Sequence, residues 1–146
     1  MTTRTNPPTS EPAWRIIDHT ADIRVEVCGS DLEQLFLNAA QALNEILGAG
    51  EPAGADHDIE ISLESPGPDE LLVDWLREIL FYNQARGWVF VQAHVEHLSD
   101  TSFRANASFG LRCEEDEPEF EIKAVTYHGL TVEKSDRGYC AKILFD

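Results

Sequence analysis

The 146 residues carry 27 acidic against 11 basic side chains, a net charge of −16, with 42% hydrophobic and 26% charged residues. That size suits one domain with a real core, and the composition is that of a globular protein. Phosphate backbones and anionic membrane surfaces call for Lys and Arg, so direct nucleic-acid or membrane binding is not expected as the main activity. A basic protein partner or a bound cation suits the charge better, although acidity can also serve solubility alone.

Residues 1–13 contain three prolines and five Thr/Ser residues without apolar periodicity, which predicts a disordered tail ahead of a single domain over 14–146. Trp14 opens a first strand leading into Asp18-His19-Thr20-Ala21-Asp22. Ile23, Val25 and Val27 then alternate with Arg24 and Glu26, the pattern of a strand with one buried face. Gly29-Ser30-Asp31-Leu32-Glu33 marks a helix start in which Ser30 and Glu33 form a capping box. The helix that follows places Leu32, Leu35, Phe36, Ala39, Leu43, Ile46 and Leu47 on one stripe and ends at Gly48.

Asp58 to Glu64 alternates strictly and predicts a strand, stopped by Ser65-Pro66-Gly67-Pro68. Asp69 and Glu70 then suit the first turn of a second helix, whose stripe is Leu71, Leu72, Trp75, Leu76, Ile79 and Leu80 and whose end is Gly87. Trp88 to Leu98 and Thr101 to Phe109 read as a strand pair around Ser99-Asp100. Glu114 to Glu119 reads as a solvated acidic loop. Glu121 to Glu133 reads as one or two strands, and Ser135-Asp136-Arg137-Gly138 as the hairpin turn into a last strand, Tyr139 to Asp146. The order predicts an α+β fold, a mixed or antiparallel sheet with both amphipathic helices packed on one face.

Cys28, Cys113 and Cys140 are odd in number and form no CxxC pair, which argues against a zinc ribbon or a thioredoxin-like site. Reduced, mostly buried thiols in a cytoplasmic protein are the expectation. There is no signal-peptide pattern and no apolar run long enough to span a bilayer.

Two carboxylates and an imidazole within five residues, joining two strands, make Asp18, His19 and Asp22 the first place to look for chemistry. Hard divalent cations take oxygen ligands, and Asp22 meeting Asp146 at the end of the last strand would start such a site. Asp18 can equally bond backbone in the turn, and His19 can equally be a satisfied core residue. Lys123, one of three lysines, lies in Ile122-Lys123-Ala124-Val125-Thr126-Tyr127-His128, where it could balance a carboxylate cluster or simply face solvent. His94 and His97, three apart in a strand, are expected on opposite faces and are discounted as a metal pair. There is no phosphate-binding Gly-rich loop and no supported Ser/His/Asp set.

Three pieces together resemble the archease family: Asp18-His19-Thr20-Ala21-Asp22-Ile23, the Ile122 to His128 run, and the final aspartate. The helix opening Ser30 to Phe36 is similar to the family's pattern as well, and the likeness runs from Trp14 to Asp146. The resemblance implies a small cytoplasmic α+β protein without enzymatic activity. It implies assistance to an RtcB-type RNA ligase, which joins a 2′,3′-cyclic phosphate or 3′-phosphate end to a 5′-hydroxyl through a guanylylated histidine and divalent metal. The accessory role is to promote guanylylation and multiple turnover in tRNA splicing or RNA repair. The resemblance also implies a metal site at Asp22 and Asp146, holding calcium in crystals and magnesium or manganese in function. Lys123 matches the family's functional lysine, and Asp18, His19, Tyr127 and His128 would support the metal or touch the partner. Family members usually carry one more apolar residue after the final aspartate, whose terminal carboxylate joins the metal shell. In this sequence Asp146 stands last, so its own α-carboxylate substitutes, the site is weaker, or the chain is truncated. Two other roles compete: a metal-dependent hydrolase using His19 and the aspartates, and a general chaperone.

Overall fold

A computed structural model describes residues 13–18, 22–48, 54–111, 122–126, 130–136 and 138–146. Its elements run β1 (Trp14–Asp18), β2 (Ile23–Gly29), α1 (Leu32–Ile46), β3 (His57–Glu64), α2 (Pro68–Arg86), β4 (Trp88–Leu98), β5 (Ser102–Leu111), β6 (Val125–Thr126), β7 (Val132–Ser135) and β8 (Gly138–Phe145). Most of the expected tail and the acidic loop lie outside the described residues.

The α+β class holds, and the strands sort into two sheets in which every pairing is antiparallel. One has the order β1-β2-β8-β6, with β7 beside β6 along the same edge of β8. The other has the order β3-β5-β4. The inner face of the first presents Ile23, Val25, Val27, Ile143 and Phe145, and that of the second presents Ile61, Phe103, Ala105, Ala107 and Phe109, all buried. Both helices touch both sheets, so one core serves the whole assembly. Trp75 lies at its centre, edge-on to Phe90, and its indole N–H donates to the Phe36 carbonyl of α1 at 2.9 Å. An aromatic that large is fully buried at low cost only when its one polar atom finds an acceptor.

The start of α1 differs from the expected capping box. The cap is Asp31, whose extended backbone precedes the first helical residue and whose carboxylate accepts from the Gln34 N–H at 2.7 Å. Gln34 then turns its amide toward Asn38, at 2.8 Å, and Asn38 donates to the Cys28 carbonyl of β2. The helix begins one residue later than the Ser30 reading, and either residue has the oxygen a cap needs. At its far end α2 stops on Gly87 in the left-handed region (φ 69°), as expected.

The two histidines of β4 also depart from expectation. Between Val95 and His97 the register slips: Val95 pairs with Ala105, but His97 pairs with Arg104. The extra residue on β4 is a β-bulge, so His94 and His97 are both exposed instead of alternating.

The cysteine expectation is overturned. Cys28 and Cys140 stand opposite one another in the β2–β8 register, with Cα atoms 4.1 Å apart, and form a disulfide. The Cys28 N–H points the other way, to the Ala13 carbonyl at 2.8 Å. The cysteines therefore occupy a non-hydrogen-bonded pair, the closer of the two antiparallel pair types, which brings two thiols within bonding reach. Cys113 lies outside the described residues.

Candidate functional site

The β2–β8 ladder builds the site. Its register runs from Gly29↔Tyr139 to Ile23↔Phe145. Carried one pair further, it sets Asp22 opposite Asp146. Side chains alternate along a strand, so burial of Ile23, Val25 and Val27, and of Ala141, Ile143 and Phe145, turns the intervening residues outward. The outer face of this ladder thus carries a single file of cross-strand pairs, Cys28 with Cys140, Glu26 with Lys142 and Arg24 with Leu144, and Asp22 and Asp146 are the residues just beyond its last pair. These pairs share the non-hydrogen-bonded type, the closer-spaced of the two. Glu26 also pairs with Arg15 of β1, at 3.0 Å.

Asp22 and Asp146 are both exposed. Among the described residues neither side chain has a hydrogen bond or an ion pair. Two like charges directly opposite one another are unfavourable. A cation between them would remove that penalty, and short carboxylates are hard oxygen donors suited to calcium, magnesium or manganese. The residues present therefore fit a divalent ion as a two-carboxylate start to a shell. Among the described residues no group of three or more His, Cys, Asp or Glu side chains converges, so further ligands would be backbone, water or a partner's groups.

Lys123 reaches the same strand end through its backbone. Its N–H donates to the Asp146 main-chain oxygen at 2.6 Å, and the Asp146 N–H donates to the Ala124 carbonyl at 3.0 Å. Its side chain is exposed. Thus Asp22, Asp146 and Lys123, remote in sequence, share one end of the larger sheet. Of the supporting candidates, Asp18 ends β1 and pairs with Arg24 beyond an irregularity after Ile16. His19, Tyr127 and His128 lie outside the described residues.

Helix α2 supplies a second layer that sequence patterning does not reveal. Among the described residues 122–126 around Lys123, Val125 and Thr126 are in a ladder. Besides the bonds to Asp146, side chains of α2 meet backbone groups here and at the start of β7: Gln84 donates to the Ile122 carbonyl at 3.0 Å and Arg77 to the Val125 carbonyl at 3.0 Å, while Asp69 accepts from the Val132 N–H at 2.8 Å. A polar row at roughly two-turn spacing beside an apolar stripe was the only available signal, and it reads as an ordinary solvated face. On the same helix, burial and then the neighbouring Asp74 carboxylate push the Glu78 carboxyl above its ordinary value of 4.5.

Two antiparallel sheets around two helices, with Asp22 and Asp146 exposed at one strand end, define a small α+β protein. Comparison with known proteins identifies which group it falls in. Residues 14–146 match the model of the Archease protein family (MTH1598/TM1083). The chain is 35% identical to the archease of Methanosarcina mazei and 37% identical to that of Methanosarcina acetivorans, covering 95% of this chain and 99% of the relative in each case. Among solved structures, it resembles the solution structure of Methanobacterium thermoautotrophicum protein 1598 with a TM-score of 0.72 and 28% identity, over 92% of this chain and 98% of the other. The crystal structure of a Thermotoga maritima archease, described as a possible chaperone, shares the fold with a TM-score of 0.61 at 23% identity, over 97% and 99% of the two chains. The chain belongs to the archease family.

Proposed function

We propose that this archease is a non-enzymatic, metal-binding accessory factor for an RtcB-type RNA ligase, promoting guanylylation of the ligase and its repeated turnover in tRNA splicing or RNA repair. The observation that carries the reading is the arrival of Asp22 and Asp146 at one strand end, both exposed and neither with a side-chain partner among the described residues, beside Lys123. Asp22 and Asp146 would hold the divalent ion, which supplies positive charge to neighbouring phosphate or carboxylate oxygens when bound. The chain's own part is to hold the two carboxylates at a fixed spacing on an open strand end, where a partner's surface can reach them. Lys123 offers a cation to an anionic group of the partner. A net charge of −16 disfavours free RNA and favours approach to the basic RNA-binding face of a ligase.

The test is turnover of the cognate ligase with GTP, Mn²⁺ and excess RNA. Substoichiometric addition of this protein is expected to convert a stalled reaction into many turnovers. Asp22→Asn and Asp146→Asn are each expected to lower that stimulation by about 10-fold or more while the protein stays folded. Full stimulation by Asp22→Asn would sink the metal reading. A second reading, a general chaperone, draws on the half-exposed Phe81 and Leu111, at 52% and 50%. Protection of unrelated unfolding proteins without any effect on the ligase would favour it.

A further inference from the structure

We infer that Gln84 of α2 is a positioning residue for the acidic pair, acting through the single peptide group that joins Ile122 to Lys123. The inference rests on the metal reading above and adds to it a residue far from the motifs.

The carbonyl of Ile122 and the N–H of Lys123 belong to one planar unit and point in opposite directions. Gln84 Nε2 donates to that carbonyl at 3.0 Å, and that N–H donates to the Asp146 main-chain oxygen at 2.6 Å. The plane is therefore gripped at both edges, by the helix on one side and by the metal-site strand on the other. A chain of aligned hydrogen bonds also polarises along its length, so loss of the first weakens the second. The grip matters because residues 122–124 lie outside any strand and β6 is two residues long, so this peptide plane shares the work of holding the segment with the buried Ile122 side chain and the bond from the Asp146 N–H to the Ala124 carbonyl. Without the Gln84 donor the plane keeps only one of its two hydrogen-bonded edges. The bond from the Lys123 N–H to Asp146 is then weakened, and the Asp146 carboxylate is held less closely beside Asp22.

The test uses three full-length variants. Gln84→Glu keeps size and shape but sets a carboxylate oxygen, with no donor, against the Ile122 carbonyl. Gln84→Arg restores N–H donors from an exposed position. Asp22→Asn reports on the metal site itself. Two quantities are read: Mn²⁺ affinity by calorimetry, and amide exchange of Lys123, Asp146 and Ile143 in metal-free protein by NMR. Gln84→Glu is expected to bind Mn²⁺ about 10-fold more weakly. It is also expected to exchange the Lys123 and Asp146 amides about 10-fold faster, with Ile143 in the core unchanged. Gln84→Arg is expected to restore both quantities. Unchanged exchange at Lys123 and Asp146 overturns the proposal. So does faster exchange with unaltered Mn²⁺ affinity, or an equal acceleration at Ile143, which would mark a loss of global stability. If the wild type takes up no Mn²⁺, or Asp22→Asn binds it equally well, the metal reading fails, and the exchange rates alone decide whether Gln84 positions Asp146.

Discussion

Single side chains on α2 do two different jobs within one turn. Arg77 is bonded to the Val125 carbonyl, whereas the next residue, Glu78, is partly buried with Asp74 one turn away. Burial and that like charge raise the Glu78 carboxyl above its ordinary value, so the folded protein takes up this proton more readily than the unfolded chain does. A carboxyl raised in this way favours folding while it is protonated. The favourable contribution is present below the unfolded value and is lost as the pH rises through the folded one. Glu78→Gln is therefore expected to raise the Tm near pH 7, with the gain over wild type shrinking as the pH falls through the carboxylate range. Thermal melts across that range check it, and a lower Tm at pH 7 would contradict it.

At the scale of elements, α1 and α2 are held by different means. Helix α1 has Asp31 as its cap and is tied to β2 by Asn38 and to the β4 carbonyls of Phe90 and Val91 by Asn44 and Gln41. Asp31→Ala would leave the Gln34 N–H without its acceptor. The expected loss is about 1 kcal/mol of unfolding free energy, read as a lower urea midpoint with the slope unchanged. Ser30→Ala serves as the contrast: the expectation from the amino-acid pattern placed the cap there, whereas the structure gives Ser30 no capping bond, so its midpoint is expected to stay within about 0.5 kcal/mol of wild type. Helix α2 has no side-chain cap at Gly67 and instead begins with Pro68, followed by Asp69 and Glu70. Its Asp69 carboxylate is already committed to the Val132 N–H, so the end of the helix and the segment leading into β7 are secured together.

Across the whole molecule, the Cys28–Cys140 bond closes a loop with a sequence separation of 112 between strands that are already paired over seven residues. The loop contains both helices and the entire three-stranded sheet, so the cross-link acts mainly by restricting the unfolded chain. Reduction, or the Cys28→Ser/Cys140→Ser double variant, is expected to lower the unfolding free energy by about 2–4 kcal/mol, measured by urea denaturation with and without reductant. Identical curves under both conditions would mean that the bond is absent in solution. Gly138, whose φ is 103°, lies at the same end of β8, where a Cβ would overlap the Gly29 carbonyl. A substitution there would push apart the two strands that the disulfide joins.

Taken by itself, the amino-acid order determined both helices, the strands around them and the α+β class, because those depend on periodicities of a few residues and on local stops such as Pro68 and Gly87. It also marked Asp22, Lys123 and Asp146, through short runs that resemble one family. What only the tertiary structure decided are pairings between distant positions. The β2–β8 register sets Cys28 opposite Cys140 and ends at Ile23↔Phe145, which brings the neighbouring Asp22 and Asp146 to one strand end, and no local pattern encodes a register between strands so far apart in the chain. The bulge that puts His94 and His97 on one face is likewise a property of β4 against β5, not of β4 alone. The division into two sheets arises because both helices need a buried face on each side, which alternation along a strand cannot express. Gln84 illustrates the same limit: its role depends on a peptide group that arrives from a remote segment, and that meeting exists only once the core has closed.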